Sequence, residues 1–181
     1  VGFVFRHMTG EKAKAVLDEP YVSIYLAIRA EPPYNGGPLY DRDRFLERTG
    51  KQTELPGFEL VAAEWDGVLA GFAFGFTMAA GMWWGGETTP PPQEVVDAPK
   101  LAVVELDLLP EHRGQGVGRR LLSELLDDRE EPLATLLSRP DTPAHAMYQR
   151  WGWRLVGAVR PAPDAVVADA MVTSLAVPVG E

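Results

Sequence analysis

Eight consecutive residues, Arg113-Gly114-Gln115-Gly116-Val117-Gly118-Arg119-Arg120, set three glycines among three arginines where an apolar helical periodicity begins. Glycines remove side chains where a ligand must approach the backbone. The first amides of a helix lack internal partners, so they can donate to phosphate oxygens, and the helix dipole attracts the same anion. In a chain of net charge −9 the three arginines form a basic island, which suits one locally held phosphate ligand better than a broad polyanion. Two familiar glycine loops are excluded. No Gly-Lys-Ser/Thr ending comes after it, so a P-loop would lack its lysine and its magnesium ligand. A dinucleotide fingerprint needs a third glycine three positions after the second, where Arg119 follows Gly116 and Leu121 follows Gly118.

A second group of residues could move protons. Glu105 and Asp107 lie two apart in an apolar run, so on a strand they project from one face and need a partner. Glu105 is either a general base, accepting the proton of a substrate ammonium directly or through water, or one half of an ion pair with an arginine such as Arg29 or Arg154. Asp107 has the same two options. Tyr25, Tyr34, Tyr40, Trp83 and Trp84 could wall an acceptor site, with Trp83, Trp84 and Tyr34 as the substrate-contact candidates. His7, His112 and His145 are scattered without metal-ligand spacing, and no metal is assigned.

The elements that must position these residues can be read from pattern. Val1 to Arg6 reads as an opening strand, and Thr9 can cap a short helix through Ala13, Val16 and Leu17. Tyr21 to Arg29 fits helix or strand, Glu31 to Pro38 is a loop, and Tyr40 to Arg48 resumes as helix. Phe58 to Trp65 and Val68 to Met78 flank Asp66-Gly67, a strong hairpin signal. Gly81 to Pro99, rich in Gly and Pro, reads as a lid or binding loop. Leu101 to Leu109 is a central strand, and Val117 opens a helix through Leu121, Leu122, Leu125 and Leu126. Leu133 to Leu137 is a short strand, Thr142-Pro143 opens a helix that Gly152 ends, and Trp153 to Val159 and Ala168 to Val177 are closing strands. The order implies an α/β domain with a mixed sheet.

The spacing Arg113, Gly116, Gly118 resembles the Arg/Gln-x-x-Gly-x-Gly/Ala pyrophosphate loop of the GCN5-related N-acetyltransferase (GNAT) family. Leu106-Asp107-Leu108-Leu109-Pro110 before it, Leu121-Leu122 after it, and Tyr148 followed by Trp151-Gly152-Trp153 extend the similarity over about Leu101 to Val159. The resemblance implies the acyl-CoA N-acyltransferase fold: one three-layer domain spanning 1–181, with a mixed, twisted sheet, helices on both faces, and acetyl-CoA in a splayed gap between the fourth and fifth strands. It places the cofactor core at about 101–159 and leaves 21–40 and 81–99 to shape the acceptor site. It implies that the main chain of Leu106, Asp107 and Leu108 bonds the pantetheine arm. Arg113, Gly114, Gln115, Gly116, Val117, Gly118 and Arg119 then hold the pyrophosphate. Tyr148 falls where members of the family often protonate the leaving thiolate, although Ala144, Met147, Tyr148 and Trp151 also share a helix face suited to a core. Asp141 stands where many members carry an Asn, and a carboxylate there can accept but not donate. The implied activity is acetyl transfer to a primary amine through a ternary complex; the alternative is a non-catalytic acyl-CoA-binding module of the same fold.

Composition narrows the setting. The 181 residues are 46% hydrophobic and 24% charged, with 17 Lys and Arg against 26 Asp and Glu, which suits one globular domain and disfavours nucleic-acid binding. No cysteine is present, so disulfides, a thiol nucleophile and Cys-based zinc sites are excluded, and a cytoplasmic setting is expected. Gly67 to Gly86 is twenty uncharged residues, long enough to cross a bilayer as a helix. However, Phe72, Phe74, Phe76 and Met78 alternate with Gly71, Ala73, Gly75 and Thr77, the period of a strand with one bulky and one small face. No membrane partner and no secretory signal are expected. The partners expected are an amine acceptor from a small molecule or peptide, with a homodimer left open.

Overall fold

The computed structural model describes residues 2–175, so Val1 and the end of the last expected strand at Val177 lie outside the described residues. The strands are β1 (Phe3–Thr9), β2 (Glu59–Trp65), β3 (Val68–Met78), β4 (Glu87–Thr89), β5 (Lys100–Leu108), β6 (Leu133–Ser138), β7 (Arg154–Arg160) and β8 (Ala168–Ser174). The helices are α1 (Gly10–Val16), α2 (Tyr21–Ala30), α3 (Arg42–Gln52), α4 (Gln93–Asp97), α5 (Val117–Leu126) and α6 (Pro143–Arg150). The strands join in one mixed sheet ordered β1-β2-β3-β5-β6-β8-β7-β4. The chain divides into two compact units, residues 1–76 with 104–127 and residues 77–103 with 128–181, and β3 and β5 contribute to both.

In the first unit, alternation along the hairpin decides what packs where. The hairpin turn uses Asp66 at φ 49° and Gly67 at φ 80°, the left-handed pair that a two-residue turn requires. Leu60 pairs with Phe74 and Ala62 with Phe72, and this bulky face packs against Leu17, Tyr21, Val22 and Tyr25 of the α1–α2 region and Phe45 of α3. The opposite face carries Val61, Ala63 and Ala73, whose small side chains leave room for α5. The register puts His7 beside Val61 and Phe5 beside Ala63 on that second face. There His7 meets Glu124 of α5, and the Arg120 guanidinium of α5 lies 5.4 Å from the Phe5 ring centre. Helices therefore cover both faces of this part of the sheet.

The second unit is built around β8, which pairs antiparallel with β6 and with β7, while β4 adds to the edge of β7. β5 joins β6 in parallel from Lys100↔Leu133 to Val103↔Leu136, the point at which β5 passes into the other unit. Lys100 is fully buried, and its Nζ donates to the carbonyls of Met82 at 2.8 Å and Val96 at 3.2 Å.

Three expectations shift. The segment from Gly81 to Pro99 contains β4 and α4, which its Gly and Pro content concealed: β4 is rescued by pairing with β7, and α4 by burying Val95. Tyr21–Ala30 is helix, settled by tertiary burial of Tyr21, Val22, Ile24, Tyr25 and Ile28. Tyr40 belongs to a 3-10 turn, and α3 begins at Arg42 because the Asp41 carboxylate accepts from the Arg44 amide at 2.8 Å as N-cap.

His7 seats α5 with charge. Its Nδ1 lies 2.6 Å from Glu59 and its Nε2 2.9 Å from Glu124, and only an imidazolium can donate to both. Burial pulls its pKa down, but the two carboxylates outweigh that and raise it above the ordinary value. A raised pKa gives stability that is full below about pH 6.5 and fades as pH rises through the folded value. His7→Gln should therefore destabilise most near pH 6 and progressively less toward pH 9. The effect should stay under about 1 kcal/mol because the side chain is 41% exposed. Denaturant titrations of both proteins across that range check it, and a pH-independent difference would show that the imidazole carries no charge in the fold.

Candidate active site

The glycine-rich segment lies between the end of β5 and α5, within the first unit. Leu109 leads into a 3-10 turn at Pro110–His112, and the Arg113 amide closes it on the Pro110 carbonyl at 3.1 Å. Gly114 at φ 74° and Gly116 at φ 80° then take left-handed conformations, and a Cβ built at either meets nothing within 4 Å. The backbone therefore has open space beside it at both positions, as a cradle for a ligand requires. Gly116 is the N-cap of α5 and offers no side-chain cap, and the first helical bond runs from the Arg120 amide to the Gly116 carbonyl at 3.0 Å. The amides before Arg120 stand outside the helical ladder at the positive end of the dipole, so the geometry fits a pyrophosphate.

The arginines of this segment are less available than their number suggests. Arg113 forks onto Glu31 through Nη1 at 2.9 Å and Nη2 at 2.8 Å, and its Nε donates to the Leu108 carbonyl at 3.0 Å. Arg120 pairs with Glu124 at 2.6 Å. Phosphate charge would thus fall mainly to backbone amides. The main chain of β5 is equally selective. The Leu109 amide donates to the Ala70 carbonyl at 3.0 Å, and a Cβ on Gly71 would lie 2.4 Å from the Asp107 carbonyl oxygen. The polar groups of 107 and 109 therefore face β3, and by alternation those of Leu106 and Leu108 face the opposite edge. Of the three residues expected along the pantetheine arm, Asp107 spends its carbonyl side on β3.

On the α2 and α3 side of the same strand, Glu105 and Asp107 are 3% and 1% exposed. Arg29 of α2 bridges them, with Nη2 2.6 Å from Glu105 and Nη1 3.0 Å from Asp107, and Arg48 of α3 adds a 2.6 Å contact to the other Glu105 oxygen. The ion-pair option for Glu105 is thus realised with Arg29 and Arg48. Arg29 also lies 4.8 Å from the ring centres of Tyr25 and Tyr34, which brings Tyr34 to the cluster. Burial pushes the Glu105 carboxyl up, but both arginines outweigh it and hold it ionised. Asp107 has Arg29 alone against burial and a neighbouring carboxylate, and is pushed up to about 8. Its buried Oδ2 has no hydrogen-bond partner. Near neutrality a protonated Asp107 stands beside an ionised Glu105.

The remaining candidates lie in the second unit. Tyr148 is buried on α6, edge-on to Trp151 at 5.9 Å and Trp153 at 6.0 Å. Asp141, before that helix, pairs with Arg139 at 2.7 Å. Trp84 donates from Nε1 to the Thr135 hydroxyl at 3.1 Å, and the Trp83 ring lies 5.9 Å from the Lys100 ammonium. Both tryptophans thus have partners within their own unit. Among the described residues no cluster of His, Asp or Glu is placed to hold a metal ion, and no helix is long and apolar enough to cross a membrane. Sequence reasoning misses Arg48 and Glu31: Arg48 is one of several arginines in α3, with no local signal to single it out, and Glu31 reads only as loop.

Comparison with known proteins places the chain in a family. The model of the acetyltransferase (GNAT) family matches residues 22–153, and the chain belongs to that family. The fold is similar to that of the PaiA N-acetyltransferase from Thermoplasma acidophilum, solved in complex with coenzyme A: 13% identity, 96% of this chain, 99% of that chain, TM-score 0.59. It is also similar to Arabidopsis thaliana Naa50, solved with the bisubstrate analogue CoA-Ac-MVNAL: 12% identity, 97% of this chain, 100% of that one, TM-score 0.58. A nourseothricin acetyltransferase shares 25% identity over 67% of each chain, with a TM-score of 0.50. No curated protein sequence gives a match.

The cluster separates two substitutions that look alike. Asp107→Asn copies a carboxyl that the fold keeps neutral, so it should match the wild type near pH 4 and melt above it at pH 7, where the wild-type carboxyl ionises only on unfolding. Glu105→Gln leaves two arginines without their counter-charge and should cost about 3 to 5 kcal/mol. A folded pKa raised to about 8 means stability that is full below about pH 4 and lost as pH rises toward 8. Asp107→Asn should therefore gain on the wild type as pH climbs to 8. Melting curves of the three proteins at pH 5, 7 and 9 check both statements.

Proposed function

We propose that this chain is an acetyl-CoA-dependent N-acetyltransferase that places an acetyl group on a primary amine of a small molecule or peptide, by direct attack in a ternary complex. The observation that carries the reading is the left-handed pair Gly114 and Gly116, with open space beside both, at the mouth of α5. Family membership and relatives solved with coenzyme A or a CoA-bearing analogue support it.

When bound, acetyl-CoA supplies an acyl group already activated as a thioester. The amides from Gly114 to Arg119 hold its pyrophosphate, reinforced by the dipole of α5. The outward main chain of Leu106 and Leu108 holds the pantetheine arm, with Leu108 acting through its amide because its carbonyl already accepts from Arg113. Glu105, directly or through water, takes up the proton that the acceptor ammonium must lose before its nitrogen can attack. Tyr148 gives its phenolic proton to the departing thiolate as the C–N bond forms and the C–S bond breaks, and the second proton shed by the acylated nitrogen returns Tyr148 to its phenol. Trp83, Trp84 and Tyr34 contact the acceptor. For its class the relatives point two ways, one solved with a peptide-bearing analogue and one named for nourseothricin.

A second reading, a non-catalytic acyl-CoA-binding module, draws on the same loop and on the complete pairing of Glu105 with arginines. Thiol release with polyamines, aminoglycosides, amino acids and peptide N-termini separates the two: release with any amine supports the enzyme, and binding without release supports the module.

Two substitutions test the assignments. Gly116→Glu should abolish acetyl-CoA binding by calorimetry, with Gly116→Ala as the control for backbone strain at φ 80°. Undiminished affinity in folded Gly116→Glu would refute the loop. Tyr148→Phe should lower turnover by about 10² to 10⁴-fold with cofactor affinity intact. A fall below about threefold, with chemistry rate-limiting, sinks the role of Tyr148.

A further inference from the structure

Glu31 stands where a carboxylate is locally unfavourable. It is the C-cap of α2, at the negative end of the helix dipole, and Pro32 after it holds its backbone extended at φ −70°, ψ 148°. Its partner explains the placement. The Arg113 guanidinium has five N–H donors: two fork onto Glu31 and the Nε–H goes to the Leu108 carbonyl. Three of five donors are thus committed in two directions, which fixes both the plane and the position of the group. The contacts join three places: the end of α2, the last residue of β5, and the first residue of the glycine loop.

We propose that Glu31 is a positioning residue of the cofactor site, acting through Arg113 to hold the end of β5 and the start of the glycine loop in register with the segment after α2. This rests on the reading of that loop as the acetyl-CoA site. Arg113 is then a strut before it is a counter-ion. Its charge is already met by Glu31, and its side chain sets where the Gly114 and Gly116 amides stand. Only Arg can do this, because an ammonium cannot fork onto a carboxylate while donating sideways to a carbonyl. The segment after α2 is part of the same assembly. The Asn35 amide donates to the Glu31 carbonyl at 3.1 Å, the Gly36 amide to the Arg29 carbonyl at 2.8 Å, and Tyr34 packs on Arg29. A ligand that steadies the glycine loop therefore steadies residues 31–37 through a single ion pair, and anything bound against Tyr34 steadies the loop in return.

Calorimetry with acetyl-CoA and with 3′-phosphoadenosine 5′-diphosphate, which has the pyrophosphate but no pantetheine, tests the idea on wild type, Glu31→Gln, Arg113→Lys and the double variant. Each single variant should weaken both ligands about three- to tenfold, and the double variant little further, since the residues act as one pair. Glu31→Asp should recover part of the loss. Melting temperatures should move little, because the pair is half-exposed. Amide hydrogen exchange supplies a readout that bulk stabilisation does not move. Acetyl-CoA should slow exchange across residues 31–37 in wild type and fail to do so in Glu31→Gln. Unchanged affinity in Glu31→Gln overturns the proposal, and tighter binding overturns it in favour of Glu31 as a competitor of phosphate. If wild type binds neither ligand, the functional reading itself fails, and the inference with it.

Discussion

Two carboxylates in the middle of a sheet strand are costly unless cations reach them, and the first unit is organised around the cation that does. Arg29 bridges Glu105 and Asp107 from α2, and Arg48 completes the set from α3. Replacing such a cluster by apolar side chains of equal volume is often neutral or stabilising, so its presence is poor evidence of stability for its own sake. What it fixes is placement. α2 and α3 have to present their arginines to one strand, in the order that pairs two with Glu105 and one with Asp107. One of the two segments expected to shape the acceptor side, 21–40, is thereby held to the strand expected to carry the cofactor.

That arrangement divides the chemistry between backbone and side chains. At the glycine loop the side chains are absent or already paired, and what faces a ligand is a row of amides in an orientation set by two left-handed glycines. Backbone dipoles of this kind need no reorganisation when an anion arrives and do not titrate. On the α2 and α3 side of β5 lie groups whose proton affinity the fold has moved: a carboxyl pushed up beside one held ionised, and phenols that burial pushes up.

The glycine loop, the strand before it and the helix after it are legible in the sequence because each leaves a local mark: an apolar run, glycines at fixed spacing, and a 3.6-residue period. The hairpin at Asp66-Gly67 is legible for the same reason, and its two left-handed residues match the turn. What local pattern cannot supply is partnership. Glu105 plainly requires an arginine, and Arg29 is one of two that the sequence suggests, but Arg48 becomes a partner only through the docking of α3. Glu31 sits in a segment that reads as a loop, and its role depends on Arg113, 82 residues away. The same limit hides β4 and α4: both are too short to show a period, and they exist because β7 and a single buried valine hold them.

The two units are interleaved along the chain, with consequences for how the protein can be made. The first needs residues 104–127 before it is complete, and the second begins with 77–103 but is closed only by residues 128–181. Neither is a continuous stretch that a ribosome could release finished. During synthesis the β1–β2–β3 sheet must wait, with its small face bare, until α5 has emerged, and β5 must wait for β6. Long-range closure of this kind makes for slow folding and a nascent chain that exposes apolar surface. A truncation anywhere before residue 127 should therefore yield an aggregation-prone fragment of the first unit.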